Sequence, residues 1–304
     1  MKEIVRITVA LTISCLIAAL VMGTVFAITD KAKKHNEHMN VQTTMLGLLG
    51  YGKENPAPSD LSLHTIYRYI VEEGDAVYLG YMVPVEKEGK EAYQFLLLNL
   101  QGEFSKRYPV DIPKAEAAEA PLRQAALKKV LEPPKIFTYA DSTIIATREN
   151  RRLAYLLPGE FPGFKTFITV MLALDPKFSI IGLEIMEHEE DPGLGGEIEK
   201  RYFKNQFRGK SFETVKGLDV VKEPLPEEYR KVLEAKKLAG SSLSTDEIKK
   251  IREKYVGNDI FALTGATISS KAVTTGVKNM VKKFAYRVKI LDDVIDAQAV
   301  PVSF

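Results

Sequence analysis

Between Leu263 and Ser270 the chain reads Leu-Thr-Gly-Ala-Thr-Ile-Ser-Ser, the segment richest in groups that could do chemistry. It stands directly before a run in which Val273, Val277, Met280, Val281, Phe284 and Val288 recur at three- and four-residue steps, with Lys278, Lys282 and Lys283 elsewhere. That is the period of an amphipathic helix. A helix starting here presents backbone N–H groups that lack intrahelical acceptors, together with the positive end of its dipole. An anion such as phosphate fits such a place. Gly265 lets a ligand approach the backbone closely, and the hydroxyls of Thr264, Thr267, Ser269 and Ser270 can bond phosphate oxygens. Thr264, Gly265, Ala266, Thr267, Ile268, Ser269 and Ser270 are therefore candidate binding residues. The same residues also fit a simpler role, in which Ser269 or Ser270 only caps the helix.

A second segment carries turn chemistry: His188-Glu189-Glu190-Asp191-Pro192-Gly193-Leu194-Gly195. Proline and glycine supply the fixed and the permissive φ values of a tight turn. A turn with so little side-chain bulk leaves its backbone free to approach a ligand. His188 fits either a proton donor or a histidine satisfied at a strand end. No paired acid and base and no activated nucleophile stand out, so no catalytic residue is assigned.

These segments need elements to hold them. Residues 143–147, 153–157, 166–174 and 179–186 have the β-branched and apolar content of strands. Helical patterns follow at 196–207, 227–238 and 245–255. Upstream, residues 93–100 read as a buried strand after a polar turn at 88–90, and residues 51–60 as a loop with Gly52, Pro56 and Pro58. Residues 115–131 are helix-prone apart from Pro121, and Pro133-Pro134 stops them. Strands followed by segregated helices predict an α+β domain.

Composition narrows the function classes. Apolar residues at 45% and charged residues at 27% suit a globular domain. A net charge of +2 without a long Lys/Arg run argues against a nucleic-acid partner. Cys15 is the sole cysteine and lies in the first apolar run, which excludes disulfides and an iron–sulfur cluster carried by this chain. His35 and His38 have ligand spacing but sit among Lys and Asn, as on a solvated face, so no metal is assigned.

Residues 7–29 contain no charge and are long enough to span a bilayer as a helix. Val25-Phe26-Ala27 resembles a cleavage site, but a leader's apolar region is usually about 7–15 residues, so a retained anchor is the favoured reading. Lys2 and Arg6 flank one end and Lys31, Lys33 and Lys34 the other, so charge alone does not orient it. The leading position of the anchor favours an exported domain. Residues 30–49 read as a charged stem running into a short amphipathic helix.

Thr264-Gly265-Ala266-Thr267 resembles the Ser/Thr-Gly-Ala-Thr motif of an FMN-binding domain family. That domain is shared by the G component of the Rnf electron transport complex and the C component of the sodium-pumping NADH:quinone reductase. Residues 188–195 are similar to that family's His-x-Glu-Thr-Pro-Gly-Leu-Gly segment, with Asp191 in place of threonine. Phe203-x-x-x-Phe207-x-Gly209-Lys210 also looks like the family, and the likeness covers residues 159–284 and the anchor. It implies four segments: an anchor at 1–30, a stem and first part of the exported domain at 31–140, an FMN-binding domain at 141–290 and a tail at 291–304.

The resemblance further implies FMN joined through its phosphate to the Thr267 hydroxyl by a flavin transferase, with Glu190, Asp191, Leu194 and Gly195 among the residues that bind it. It implies other membrane subunits as partners and a one-electron relay in an Rnf-type ferredoxin:NAD+ oxidoreductase complex. The sites would lie on the outer side of a bacterial cell membrane. The C component of the sodium-pumping reductase, and a flavin sensor or structural subunit without electron flux, are the alternatives. One departure bears on attachment. The family has an aspartate three residues before the motif's first hydroxyl; here that position is Phe261, with Asp259 two residues earlier. Attachment through Asp259, a non-covalent site and a lost site all stay open.

Overall fold

The computed structural model describes residues 2–87, 89–149, 151–235 and 244–304, without the side chains of 27, 28, 30–38, 87 and 90. The side chains of His35 and His38, Glu88 of the expected turn, and residues 236–238 of an expected helix lie outside these. The described chain divides into two compact units, Met1–Glu54 and Asn55–Phe304.

The first unit is α1, Lys2–Leu48, one unbroken helix of 47 residues. The expected stem and short helix are part of it, since no proline interrupts residues 2–48. Its Lys2–Phe26 portion has a mean hydropathy of 2.4, and large apolar side chains are exposed along it, Ile7, Leu16 and Leu20 among them. A 25-residue helix is about 37 Å long, enough to cross a bilayer core. Thr8, Thr12, Ser14 and Thr24 each donate to the carbonyl four residues back, so their hydroxyls need no water.

The second unit is built on an eight-stranded antiparallel sheet in the order β4-β3-β2-β1-β5-β6-β7-β8. The strands are β1 Leu61–Glu73, β2 Ala76–Lys87, β3 Lys90–Leu98, β4 Phe104–Val110, β5 Ile136–Arg148, β6 Arg151–Pro162, β7 Phe167–Leu174 and β8 Ile180–Glu187. Alternation places successive residues on opposite faces. Ile66, Tyr81, Val83 and Leu96 pack with the valines of α8 (Thr267–Ala297), while Tyr67, Tyr69, Met82 and Leu97 pack with Ala126 and Leu127 of α3 (Ala120–Val130). Both faces of β1–β3 are therefore covered.

The fold is α+β, as expected, with differences that have local causes. The boundary expected at 140/141 falls inside β5, which is paired on both sides. Residues 115–131 divide into α2 (Lys114–Ala118) and α3, because Pro121 takes the start of a new helix. The helix expected over 196–207 is instead a 3₁₀ turn, Gly195–Glu199, and one short turn, α4 (Arg201–Lys204). After it come α5 (Phe212–Gly217) and α6 (Glu227–Glu234). Helix α7, Thr245–Tyr255, matches its expected range and starts with a capping box between Ser244 and Glu247. Short parallel strands β9 (Val220–Val221) and β10 (Ile260–Phe261) lead into α8. Residues 291–297, expected as tail, are its last two turns.

Candidate functional site

The 188–195 segment leaves β8 and turns at once. The Asp191 carbonyl accepts the N–H of Leu194 at 3.1 Å and of Gly196 at 2.9 Å. Pro192 and Gly193, the latter at φ +76°, fill the two central positions as a type II turn requires. The second segment leaves β10, passes Gly265 at φ +77° and enters α8 with Ala266 as its N-cap.

Glu190 joins the two. It is 5% exposed. One carboxylate oxygen accepts the N–H of Phe164 at 2.7 Å and of Lys165 at 3.2 Å. The other accepts the Ser269 hydroxyl in a short bond. Gly195 fits tightly here, since a Cβ on it would lie 2.5 Å from Glu190 Oε2 and 2.8 Å from Ser269 Oγ. A Cβ on Gly265 would lie 3.0 Å from Leu194 Cδ2. Far apart in sequence, the two motifs are thus one place in the fold.

The hydroxyls divide into two kinds. Ser270 accepts from the N–H of Leu263 at 3.0 Å and donates to the Ala266 carbonyl at 2.9 Å. Ser269 is bound to Glu190, and both serines are buried. Neither caps the helix, which has no side-chain cap bond. The expectation that Ser269 or Ser270 caps α8 is corrected accordingly: both lie past the N-cap and their side chains face inward. Thr264 and Gly265 are exposed and Thr267 is half-buried. The Thr264 and Thr267 hydroxyls have no hydrogen-bond partner among the described residues. Thr267 occupies the first helical position, where neither helix nor side chain supplies an acceptor for the first N–H groups.

Apolar surface surrounds this helix start. Leu194 is 48% exposed, Ile268 60% and Phe164 59%. Ala266 is buried beneath. At the rim Lys165 pairs with the Asp191 side chain. His188 accepts the Glu190 N–H at its Nδ1, while its buried Nε2 lies 3.0 Å from Glu199 but makes no hydrogen bond among the described residues. Sequence reasoning missed Phe164; its signal was an aromatic residue after Pro162-Gly163, between two strands.

Phe261 points inward. It is 9% exposed and packs with Tyr229 and Tyr255. Gln206 brackets its backbone, accepting its N–H at 2.8 Å and donating to its carbonyl at 3.2 Å. Asp259 instead accepts the N–H of Asp219 at 2.9 Å. Lys210, 1% exposed, donates to the Val256 carbonyl at 2.9 Å and to that of Asn258, so it fixes the turn before β10. Burial pushes its ammonium down to about 8, with Asp259 opposing.

Residues 163–282, which hold both motifs, match the family model of the FMN-binding domain. Over 138 residues the chain is 30% identical to the G component of the proton-translocating ferredoxin:NAD(+) oxidoreductase complex of Clostridium ljungdahlii, covering 45% of this chain and 57% of that protein. Over 62 residues it is 37% identical to the G component of the ion-translocating oxidoreductase complex of Pasteurella multocida, covering 20% and 31%. The chain thus spans less than two thirds of the length of these relatives. Among solved structures, the C component of the Na(+)-translocating NADH-quinone reductase from Parabacteroides distasonis aligns at 22% identity, covering 64% of this chain and 74% of that one, with a TM-score of 0.33. The resemblance read from Thr264–Thr267 and residues 188–195 is confirmed over the matched segment.

Proposed function

We propose that this chain is the membrane-anchored flavoprotein subunit of an ion-translocating Rnf-type oxidoreductase complex and relays electrons through FMN joined by its phosphate to Thr267. The observation that carries this reading is the uncapped start of α8, with the unpartnered Thr267 hydroxyl in its first turn, inside the segment matching the FMN-binding domain. When bound, FMN supplies one-electron redox chemistry. The residues do the rest. The first-turn N–H groups and the helix dipole stabilise a phosphodiester charge. Thr264 offers a further hydroxyl, and Gly265 keeps the approach clear of a side chain. Leu194 and Ile268 offer apolar surface to a flat ring, and Glu190 with Ser269 holds their backbones together. Helix α1 anchors the chain, with the second unit on the outer side of the cell membrane. Other membrane subunits supply donor and acceptor, and a flavin transferase makes the bond. Because the side chain at 261 is a core residue, attachment relies on Thr267 and its surroundings rather than on an aspartate there.

In-gel ultraviolet fluorescence of the denatured full chain, expressed with a flavin transferase, tests the reading. A fluorescent band that disappears in Thr267→Ala is expected. No band, or a band that persists in the variant, refutes covalent attachment at Thr267.

A further inference from the structure

A groove of about 730 Å³ runs between α8 and strands β5 and β6. Its far end, at Arg287, is twenty residues along α8 from Thr267, about 30 Å by helix rise. Its charged lining comprises Arg68, Asp141, Glu160, Lys283 and Arg287, three cations against two carboxylates. The Asp141 carboxylate accepts from Arg68 Nε at 2.9 Å, from Arg68 Nη2 at 2.5 Å and from Arg287 Nη1 at 2.9 Å. One carboxylate thus fixes two guanidiniums and cannot balance both.

The local geometry is built to aim these groups. The β1–β5 register shifts between Arg68 and Tyr69, leaving Ala140 without a partner residue beside the Arg68–Asp141 pair. Bulges of this kind redirect side chains and are frequent next to sites. On α8, Asn279, Lys283 and Arg287 recur at four-residue steps along the groove, and Gly276, Met280 and Phe284 form an apolar row beside them. Lys283 and Arg287 are like charges one turn apart, a placement unfavourable for an isolated helix. Arg68 and Arg287 side chains are only 17% and 25% exposed. Arg68 Nη1 and Arg287 Nη2 have no acceptor among the described residues, and Lys283 has no ion-pair partner there. Leaving a partly buried guanidinium charge unbalanced is costly, and an incoming anion would remove that cost.

We propose that this groove is a second ligand site, which takes a small organic anion by its phosphate or carboxylate head on Arg68, Lys283 and Arg287, with the apolar body along Phe161, Met280 and Phe284. Asp141 is the positioning residue. Burial alone would raise its carboxyl, but the hydrogen bonds and charges of Arg68 and Arg287 outweigh this and hold it below the usual carboxylate range. It therefore stays ionised and keeps both forks in place before the ligand arrives. The proposal does not rest on the flavin reading.

The test is calorimetric titration of the full chain in neutral phosphatidylcholine nanodiscs, at constant ionic strength, with inorganic phosphate and with hexyl phosphate. Saturable binding of hexyl phosphate is expected, roughly tenfold tighter than inorganic phosphate because of its apolar body. Arg287→Met should weaken it about tenfold or more, the loss of a charge-assisted contact. Lys283→Met, which breaks no side-chain hydrogen bond or ion pair among the described residues, should weaken it several-fold and controls for misfolding in the first variant. Lys282→Met, exposed on α8 and outside the groove lining, should leave the affinity unchanged, which separates the groove's own cations from charge elsewhere on the helix. Replacing the lipid with phosphatidylglycerol distinguishes sources: competition with hexyl phosphate marks a lipid headgroup, and its absence a free phosphate ester. Absence of saturable hexyl phosphate binding, or an unchanged affinity in Lys283→Met, overturns the proposal.

Discussion

Consider what Glu190→Ala does to the joint between the two motifs. The substitution removes one acceptor oxygen from the N–H groups of Phe164 and Lys165 and another from the Ser269 hydroxyl. At 5% exposure water does not readily replace them. A buried donor left without an acceptor costs about 1–3 kcal/mol, and three are orphaned. The Phe164–Lys165 loop can swing outward to reach water, so the lower end applies to those two. A total loss of about 3–5 kcal/mol follows. For a unit of this size each kcal/mol moves the midpoint by roughly 2–4 °C, so a fall of about 6–20 °C is expected. Glu190→Gln keeps one acceptor and should lose about 1–2 kcal/mol. The assay is thermal unfolding of the full chain in detergent, followed by circular dichroism, paired with in-gel flavin fluorescence. Glu190→Gln should keep the flavin band and its midpoint potential, because both oxygens face the protein. The expectation that Glu190 touches the flavin predicts the opposite, a shifted potential in a stably folded variant. A loss below about 1 kcal/mol in Glu190→Ala would refute the argument that Glu190 ties the site together.

Further expectations concern the scaffold. Gly276→Ala gains about 1 kcal/mol of helix propensity, but its Cβ would lie 2.2 Å from Phe161 Cγ; overpacking of about 1–3 kcal/mol wins, and thermal melts should show a net loss. Phe261→Asp should destabilise by about 3 kcal/mol or more, an unpaired charge in a core cluster, and should not raise the yield of fluorescent protein with a transferase. Lys210 is pushed down to about 8 in the fold, below its unfolded value. Between these two pH values the unfolded chain binds the extra proton, so stability rises with pH there. Urea melts should show wild type gaining on Lys210→Met from about pH 8 to about pH 10, and the reverse slope would refute the burial argument.

How legible this was depended on periodicity. Helix α8 could be read because one face carries Val273, Val277, Val281 and Phe284, all buried. Helix α7 could be read from its pattern too, and the structure adds a capping box at its start. Strands β1 and β2 could not: consecutive residues such as Ile66 and Tyr67, or Tyr81 and Met82, are buried on opposite faces by different helices, which erases the polar–apolar alternation of a half-exposed strand. The stretch 196–207 has helical apolar spacing, yet it opens with a 3₁₀ turn at Gly195, where a side chain would meet Glu190 and Ser269. Within the candidate site, the sequence marked the two segments that the fold brings together. It did not separate the residues that hold them from those that face outward. Ser269, Ser270 and Glu190 hold; Thr264, Thr267, Leu194 and Ile268 face outward. Burial made that division, and burial at a loop–helix junction has no period to read.

The same division ranks the two departures from the family pattern. At 191 the side chain lies at the surface against Lys165, while the turn is made by the residue's carbonyl, which accepts from Leu194 and Gly196. Every residue has that carbonyl, so aspartate in place of threonine leaves the turn intact and changes only the charge at the rim. At 261 the backbone is bound on both sides by Gln206, and the side chain is part of the Tyr229–Tyr255 cluster. An aspartate there would have to leave that cluster to meet an enzyme at the surface. Here the residue supports the strand that leads into Thr264–Thr267. The departure at 191 is therefore one of surface charge, whereas the departure at 261 puts a core residue where the family has an aspartate. If FMN is joined to Thr267 as proposed, only the second departure bears on that attachment.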